Sequence, residues 1–146
     1  MPVKPSQKAD YALRAALDLA LHAGEARLVR TAEVARRTGA PGKFLEAILG
    51  EMRRAGLVES RRGAVGGHRL ARNPARITAG EVWSAIDGPV AISTRRRRTA
   101  ADGAARALHG LWEEVEQAVR QVVDGATLED LARRAQQISN VQDFSI

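Results

Sequence analysis

The sequence contains no cysteine. Disulfides, thiol redox switching and thiolate-bound metal or iron–sulfur sites are therefore excluded. Aromatic residues make up only 3% of the 146 residues, whereas hydrophobic residues reach 45%. The core must then be aliphatic, built from Ala, Leu, Val and Ile, and a chain this rich in alanine favours helix. No apolar run approaches the ~18 residues that a membrane span needs. The most apolar stretch, 11–23, is interrupted by Arg14 and Asp18, so no membrane partner is expected. The start, Met1-Pro2-Val3-Lys4-Pro5, does not lead into a signal-peptide core, and a cytoplasmic location is the expectation. The chain also shows no nucleophile–base pair, no metal-ligand spacing and no glycine loop followed by Lys-Ser/Thr, so nothing points to an enzyme.

Positive charge is what the chain has in excess. The formal net charge is +6 and the isoelectric point is about 10.9. Residues 27–76 hold 12 Arg and Lys against 4 Asp and Glu, while residues 77–146 hold 8 against 10 and residues 1–26 hold three of each. Charge gathered on one part of a chain points to an acidic partner, nucleic acid above all. The length suffices for one domain with a sizeable core.

Hydrophobic periodicity organises the rest. A first amphipathic helix is expected over 6–23, with Tyr11, Ala12, Ala15, Ala16, Leu19 and Ala20 on one stripe and Gly24 closing it. Thr31 is the expected N-cap of a short second helix that ends near Thr38-Gly39. The turn Gly39-Ala40-Pro41-Gly42 follows, and Pro41 suits the first position of a third helix, over 41–54. Leu45, Ile48, Leu49 and Met52 form its apolar stripe; Lys43, Glu46, Ala47, Gly50 and Arg53 form the opposite face. Gly56 ends it. Strands are expected over 57–60 and 68–70, around a glycine-rich basic turn. Asn73-Pro74 breaks the chain, and Thr78 caps a helix through Val82, Trp83 and Ile86 to Gly88-Pro89. Residues 90–103 read as irregular and contain Arg95-Arg96-Arg97-Arg98. A long helix is expected over 104–123, with the stripe Leu108, Leu111, Trp112, Val115, Val119 and Val122. It is ~30 Å long at 1.5 Å per residue. It is too apolar on one side to stand alone, and its partners are the first helix or the same helix of a second copy. Asp124-Gly125 ends it, and Thr127 caps a last helix over 128–138.

The fold class this implies is mainly α: a winged helix-turn-helix with a small β-hairpin wing and a long C-terminal dimerisation helix. The expected division is 1–89 as a DNA-binding domain, 90–103 as a loop and 104–146 as the dimerisation part. Residues near the start of a recognition helix meet base edges in the major groove. Lys43 can donate to guanine, Glu46 can accept from cytosine N4, and Ala47 can touch a thymine methyl. Glu46 can instead simply balance Lys43 or Arg53. In the wing, Gly63, Gly66 and Gly67 allow a close backbone approach to phosphate. Arg61, Arg62, Arg69 and Arg72 flank them as phosphate or minor-groove contacts. An ordinary hairpin with solvated arginines is the plainer alternative.

In order along the chain, Lys8-Ala9-Asp10-Tyr11-Ala12-Leu13-Arg14, Phe44-Leu45-Glu46-Ala47-Ile48-Leu49, Ala55-Gly56-Leu57-Val58, Arg62-Gly63 with Gly66-Gly67, Arg69-Leu70-Ala71-Arg72, Ile77-Thr78 and Asp87-Gly88-Pro89 resemble the Rrf2 family of bacterial winged-helix transcriptional regulators over nearly the whole chain. The resemblance implies a homodimer with crossing C-terminal helices, bound to duplex DNA at a short, roughly palindromic operator. It implies base reading by Pro41, Lys43, Phe44, Glu46 and Ala47, wing contacts by Arg62, Gly66 and Gly67, and a phosphate contact by Lys8. Thr31, Arg53, Arg61, His68 and Arg69 complete the expected DNA-binding set. Many relatives hold an iron–sulfur cluster on three cysteines in the loop before the long helix. That loop has none here, so no cofactor is expected, and Asp10, acidic where one branch completes its cluster, reads as a surface residue. A Ser often precedes the recognition helix, where this chain has Ala40-Pro41. Ala47 replaces a Gln-like base reader and His68 a more usual aromatic. The signal is left open between a small molecule, a protein partner and the regulator's own concentration. Arg95–Arg98 is open between phosphate contacts, an acidic partner and a solvated loop. The alternative function is a non-specific, architectural DNA-binding protein.

Overall fold

The structure is a computed structural model that describes residues 4–92 and 102–143; Arg95–Arg98 lies outside the described residues. The helices are α1 Gln7–Leu21, α2 Thr31–Thr38, α3 Gly42–Arg54, α4 Ala79–Asp87, α5 Gly103–Gly125 and α6 Leu128–Asp143. Between α3 and α4 lie the strands β1 Val58–Arg61 and β2 Gly67–Leu70 and a 3-10 turn, Pro74–Arg76. This is the mainly helical fold with a small hairpin and a long C-terminal helix that the periodicity predicts.

Helix α1 is the hub. Ser6 caps it by accepting the Ala9 N–H at 3.1 Å. Its buried face is Ala9, Ala12, Ala15, Ala16 and Leu19, small enough that α2, α3, α4 and α6 all pack against it. Helix α2 stops at Gly39, whose left-handed φ of 78° lets its N–H return to Ala35 O at 2.9 Å. Helix α3 buries Leu45, Ile48, Leu49 and Met52, the stripe expected of it. Side chains of this size, fully buried, each contribute about 1.5–3 kcal/mol. The hairpin pairs Val58 with Leu70, Glu59 with Arg69, Ser60 with His68 and Arg61 with Gly67. Val29, just before α2, adds a third edge: its N–H reaches His68 O at 2.9 Å, and the His68 N–H reaches Val29 O at 2.7 Å.

The C-terminal part is tied back to this unit. The Ala79 N–H donates to Ala126 O and the Leu128 N–H to Ile77 O, both at 2.8 Å. Leu128 is buried in the same core as Leu45, Ile48 and Met52. Thr78 and Thr127 cap α4 and α6 through the Glu81 and Asp130 N–H groups, each at 3.1 Å, as expected. Within the chain helix α5 rests mainly on α4, where the periodicity offers α1 as one of two partners; α1 is covered mainly by α4 and α6.

Several boundaries move. The second helix is capped at Arg30 and not at Thr31. Glu33 accepts the Arg30 N–H at 3.2 Å, and the Thr31 hydroxyl is drawn away to His68. Pro41 takes the N-cap of α3 with a ψ of 135°, leaving Gly42 as the first helical residue. Helix α1 ends at Leu21, where the His22 ring engages Asp18 O at 2.8 Å. Helix α6 runs on past Ile138 to Asp143.

Candidate nucleic-acid interface

The turn between α2 and α3 brings the start of α2, the first turns of α3 and the wing around one open cleft of about 460 Å³, lined by Arg30, Thr31, Gly42, Glu46, Arg61 and His68 among others. Its position follows from local rules: α3 must bury its Leu45–Met52 stripe on α1, and this leaves Lys43, Glu46, Ala47 and Arg53 exposed on the opposite side.

The charges around the cleft fall into two groups. The side chains of Arg61, which lines the cleft, and of Lys43, Arg53 and Arg62 are exposed and have no hydrogen-bond or ion-pair partner among the described residues; those of Arg36, Arg54 and Arg76 share that freedom. Glu46, a carboxylate on the same face of α3, is likewise without a direct partner. Lys8, Arg27, Arg69 and Arg72 are instead engaged within the fold. Lys8 is paired with Glu51. Arg69 meets its cross-strand neighbour Glu59 at 2.8 Å. Arg72 is paired with Glu81, and Arg27 reaches Glu33 at 2.9 Å. A cation held this way within the protein offers less to a phosphate than a free one.

Other residues expected at the DNA contact are placed inside the scaffold. Phe44 is half-buried and meets Tyr11 edge to face, with ring centres 5.7 Å apart, so it seats the start of α3 on α1. The wing glycines are required by the protein's own backbone. A Cβ on Gly66 would lie 2.2 Å from Arg61 O, and one on Gly67, where φ is 148°, would lie 2.6 Å from Val29 O. Pro41 and Ala47 are exposed at the start of α3. The His68 ring lies between two hydroxyls, with Nε2 at 2.8 Å from Thr31 Oγ1 and Nδ1 at 2.7 Å from Ser60 Oγ. Burial holds its pKa below the ordinary 6.5, Arg53 pushes it the same way and Glu46 opposes them, so the ring is neutral at pH 7.

Two residues that sequence patterns did not single out matter here. Arg30 donates from Nη1 to Ala64 O at 2.9 Å, fastening the tip of the wing to the start of α2. Asp18, buried on α1, takes Arg37 of α2 in a two-point pair at 2.7 and 3.0 Å, fixing the first helix of the pair to the hub. An acid four residues before a histidine in an apolar helix carries no local sign of a partner nineteen residues on.

No residue of the long helix is fully buried within the protomer. Leu108 is 54% exposed, Leu111 46%, Trp112 44% and Val122 71%, while Val115 and Val119 are half-buried. A stripe this large and apolar is unusual on a lone chain.

Two short helices joined by a tight turn, with a hairpin wing beside them and an open basic cleft between, define a winged helix-turn-helix protein. The family model Rrf2, described as an iron-dependent transcriptional regulator, matches residues 5–134. The HTH-type transcriptional regulator IscR of Aliivibrio salmonicida is 36% identical over 145 residues, covering 97% of this chain and 86% of that protein. Among solved structures, the global cysteine regulator CymR of B. subtilis superposes with a TM-score of 0.78 at 35% identity, covering 91% of this chain and 98% of that one. IscR of T. potens gives 0.75 at 33% identity, covering 94% and 92%. The chain belongs to the Rrf2 family of transcriptional regulators and carries its helix-turn-helix DNA-binding fold.

The family description implies iron. The donor set does not fit an iron–sulfur cluster on thiolates, because the chain has no cysteine. The described residues also contain no group of three or more His, Asp or Glu that could hold a metal ion. Asp10 is exposed and pairs with Arg14 at 2.9 Å. No helix among the described residues is long and apolar enough to cross a membrane.

Proposed function

We propose that this chain is a sequence-specific DNA-binding regulator, most simply a repressor, that acts as a homodimer on a palindromic operator and needs no iron–sulfur cluster. The observation that carries this reading is the open cleft between α2, α3 and the wing, lined by Glu46 and Arg61, together with the exposed, unpaired side chains of Lys43 and Arg53 on the same helix as Glu46 and of Arg62 next to Arg61, although most other cations of the region are paired. Lys43 reads guanine, Glu46 reads cytosine N4, and Ala47 packs on a thymine methyl. Arg53, Arg61 and Arg62 contact phosphates. Thr31, Pro41, Phe44, Gly66, Gly67, Lys8, Arg69 and His68 shape and hold the surface that does this. Residues 1–89 form the DNA-binding part and 104–146 the dimerising part. Leu108, Leu111, Trp112, Val115, Val119 and Val122 pack against a second copy.

The test is the salt dependence of DNA affinity. Each lost phosphate contact lowers the slope of log affinity against log salt by about one. Arg62→Ala is expected to lower it by that amount on specific and non-specific duplexes alike, whereas Arg72→Ala, which removes a paired cation, leaves it nearly unchanged. Equal slopes for wild type and Arg62→Ala would contradict the wing's role.

A further inference from the structure

We propose that His68 is a positioning residue whose imidazole straps the wing to the start of α2 and couples DNA binding to the uptake of one proton. This rests on the DNA-binding reading above and adds a form of regulation to that site. Three observations support it. The backbone of His68 bridges Val29 in both directions, at 2.7 and 2.9 Å, so β2 is already joined to the segment that leads into α2. Its ring spans from Ser60 on β1 to Thr31, the first residue of α2, at 2.7 and 2.8 Å. The same ring lines the cleft that faces DNA.

A neutral imidazole has one donor and one acceptor nitrogen, while an imidazolium has two donors. Both neighbours are hydroxyls, and a hydroxyl can donate or accept. Either protonation state therefore keeps the strap, and the proton changes the charge of the cleft without breaking its frame. The charged groups that act on the ring are Arg53 and Glu46 from α3, and Arg61 from β1 and Arg30 ahead of α2 line the cleft with it. In the free protein the partial burial of the ring and, after it, Arg53 disfavour the imidazolium, against the opposing pull of Glu46. Phosphates entering the cleft neutralise Arg53, Arg61 and Arg30 and bring negative potential of their own, so the imidazolium is favoured in the complex. The bound state then holds more protons than the free state between the two pKa values, and affinity rises as pH falls through that window. One coupled proton is worth at most tenfold per pH unit. The other two histidines face elsewhere: His22 engages Asp18 O on α1, and His109 pairs with Glu113 on α5.

The experiment measures the dissociation constant of the full chain for a random-sequence duplex of roughly 30 base pairs, long enough for two half-sites, from pH 7.5 to 5.5 at fixed ionic strength. Wild type is expected to tighten by about tenfold across this range. His68→Gln, which keeps a donor and an acceptor but cannot take up the proton, is expected to show a flat profile whatever its affinity at pH 7.5, so each protein's slope is read against its own value at that pH. A histidine ring signal in the proton spectrum, assigned to His68 by its loss in His68→Gln, is expected to titrate at higher pH once DNA is added. Parallel pH profiles for wild type and His68→Gln, or a His68 titration that DNA does not raise, overturn the proposal. Tight binding by wild type with no pH dependence overturns it too and leaves the DNA-binding reading standing. No binding by wild type at any pH overturns both.

Discussion

At the scale of single residues, the wing shows how a side chain's absence can be a structural requirement. Gly66 is buried, and a Cβ there would meet the carbonyl oxygen of Arg61 at 2.2 Å and the carbonyl carbon of Arg62 at 2.8 Å. Both are backbone, so neither can rotate out of the way. Gly66→Ala is expected to distort the turn that presents Arg61 and Arg62, at a cost of about 1–3 kcal/mol, and to weaken DNA binding more than tenfold. Val65→Ala, one residue earlier and 83% exposed, is the control and is expected to be neutral in both. Thermal unfolding and a duplex-binding titration on the two variants decide it, and a binding curve for Gly66→Ala that overlays wild type would refute the role. The sequence made these glycines visible but suggested a different reason for them, close approach of DNA. The distinction depends on Arg61 and Val29, whose carbonyls converge on the turn only after folding. Arg30 was hidden for the same reason, because its bond to Ala64 O links segments that no periodicity connects. The free cations Lys43, Arg53, Arg61 and Arg62 were legible, since each sits on the polar side of a helix stripe or in a glycine turn.

At the scale of elements, the legible parts are those set by local chemistry. Gly39 and Gly56 end their helices because each adopts a positive φ. Thr78 and Thr127 cap where their spacing says they should. What moved was decided by tertiary partners: His68 takes the Thr31 hydroxyl, and the core residue Leu128 draws α6 back onto α1. A further tie joins α1 to α4. Asp87 accepts the Ser6 N–H at 2.9 Å, the Ser6 hydroxyl at 2.5 Å and the Trp83 indole N–H at 2.9 Å. Burial alone would raise its pKa, but the Ser6 and Trp83 donors, with Lys8 nearby, outweigh it and hold the carboxyl below its ordinary 3.8. A depressed carboxyl stabilises the fold fully above its unfolded value, and that stability is lost as pH falls through the lower folded value. The expected outcome is a loss of stability as pH drops below 3.8, part of which Asp87→Asn removes, at a cost of about 1–2 kcal/mol at neutral pH. Urea denaturation of both proteins across pH 2.5 to 7 measures it, and identical pH profiles would show that Asp87 contributes nothing.

At the scale of the whole molecule, the protomer has a well-filled core around α1 and an unfilled surface along α5. The apolar stripe from Leu108 to Val122 was legible from spacing alone, yet that spacing cannot tell an own-chain partner from a second copy. The exposure of Leu108, Leu111, Trp112 and Val122 argues for the second copy. Because these side chains are exposed in the protomer, Trp112→Glu is expected to leave folding intact while halving the mass of a species near twice 15.7 kDa. Sedimentation equilibrium reads this directly, and an unchanged mass would remove α5 from the interface. Loss of the dimer is also expected to weaken operator binding far more than binding to random duplex, because two half-sites about one helical turn apart need two linked protomers.

The most direct test of the account is selection of preferred sites from a random pool of DNA duplexes, run in parallel with wild type and Glu46→Ala. Wild type is expected to enrich an inverted repeat, and Glu46→Ala to shift the preferred base within each half-site, by about 1–3 kcal/mol of discrimination at that position. Enrichment of no consensus, or the same consensus from both proteins, would contradict it.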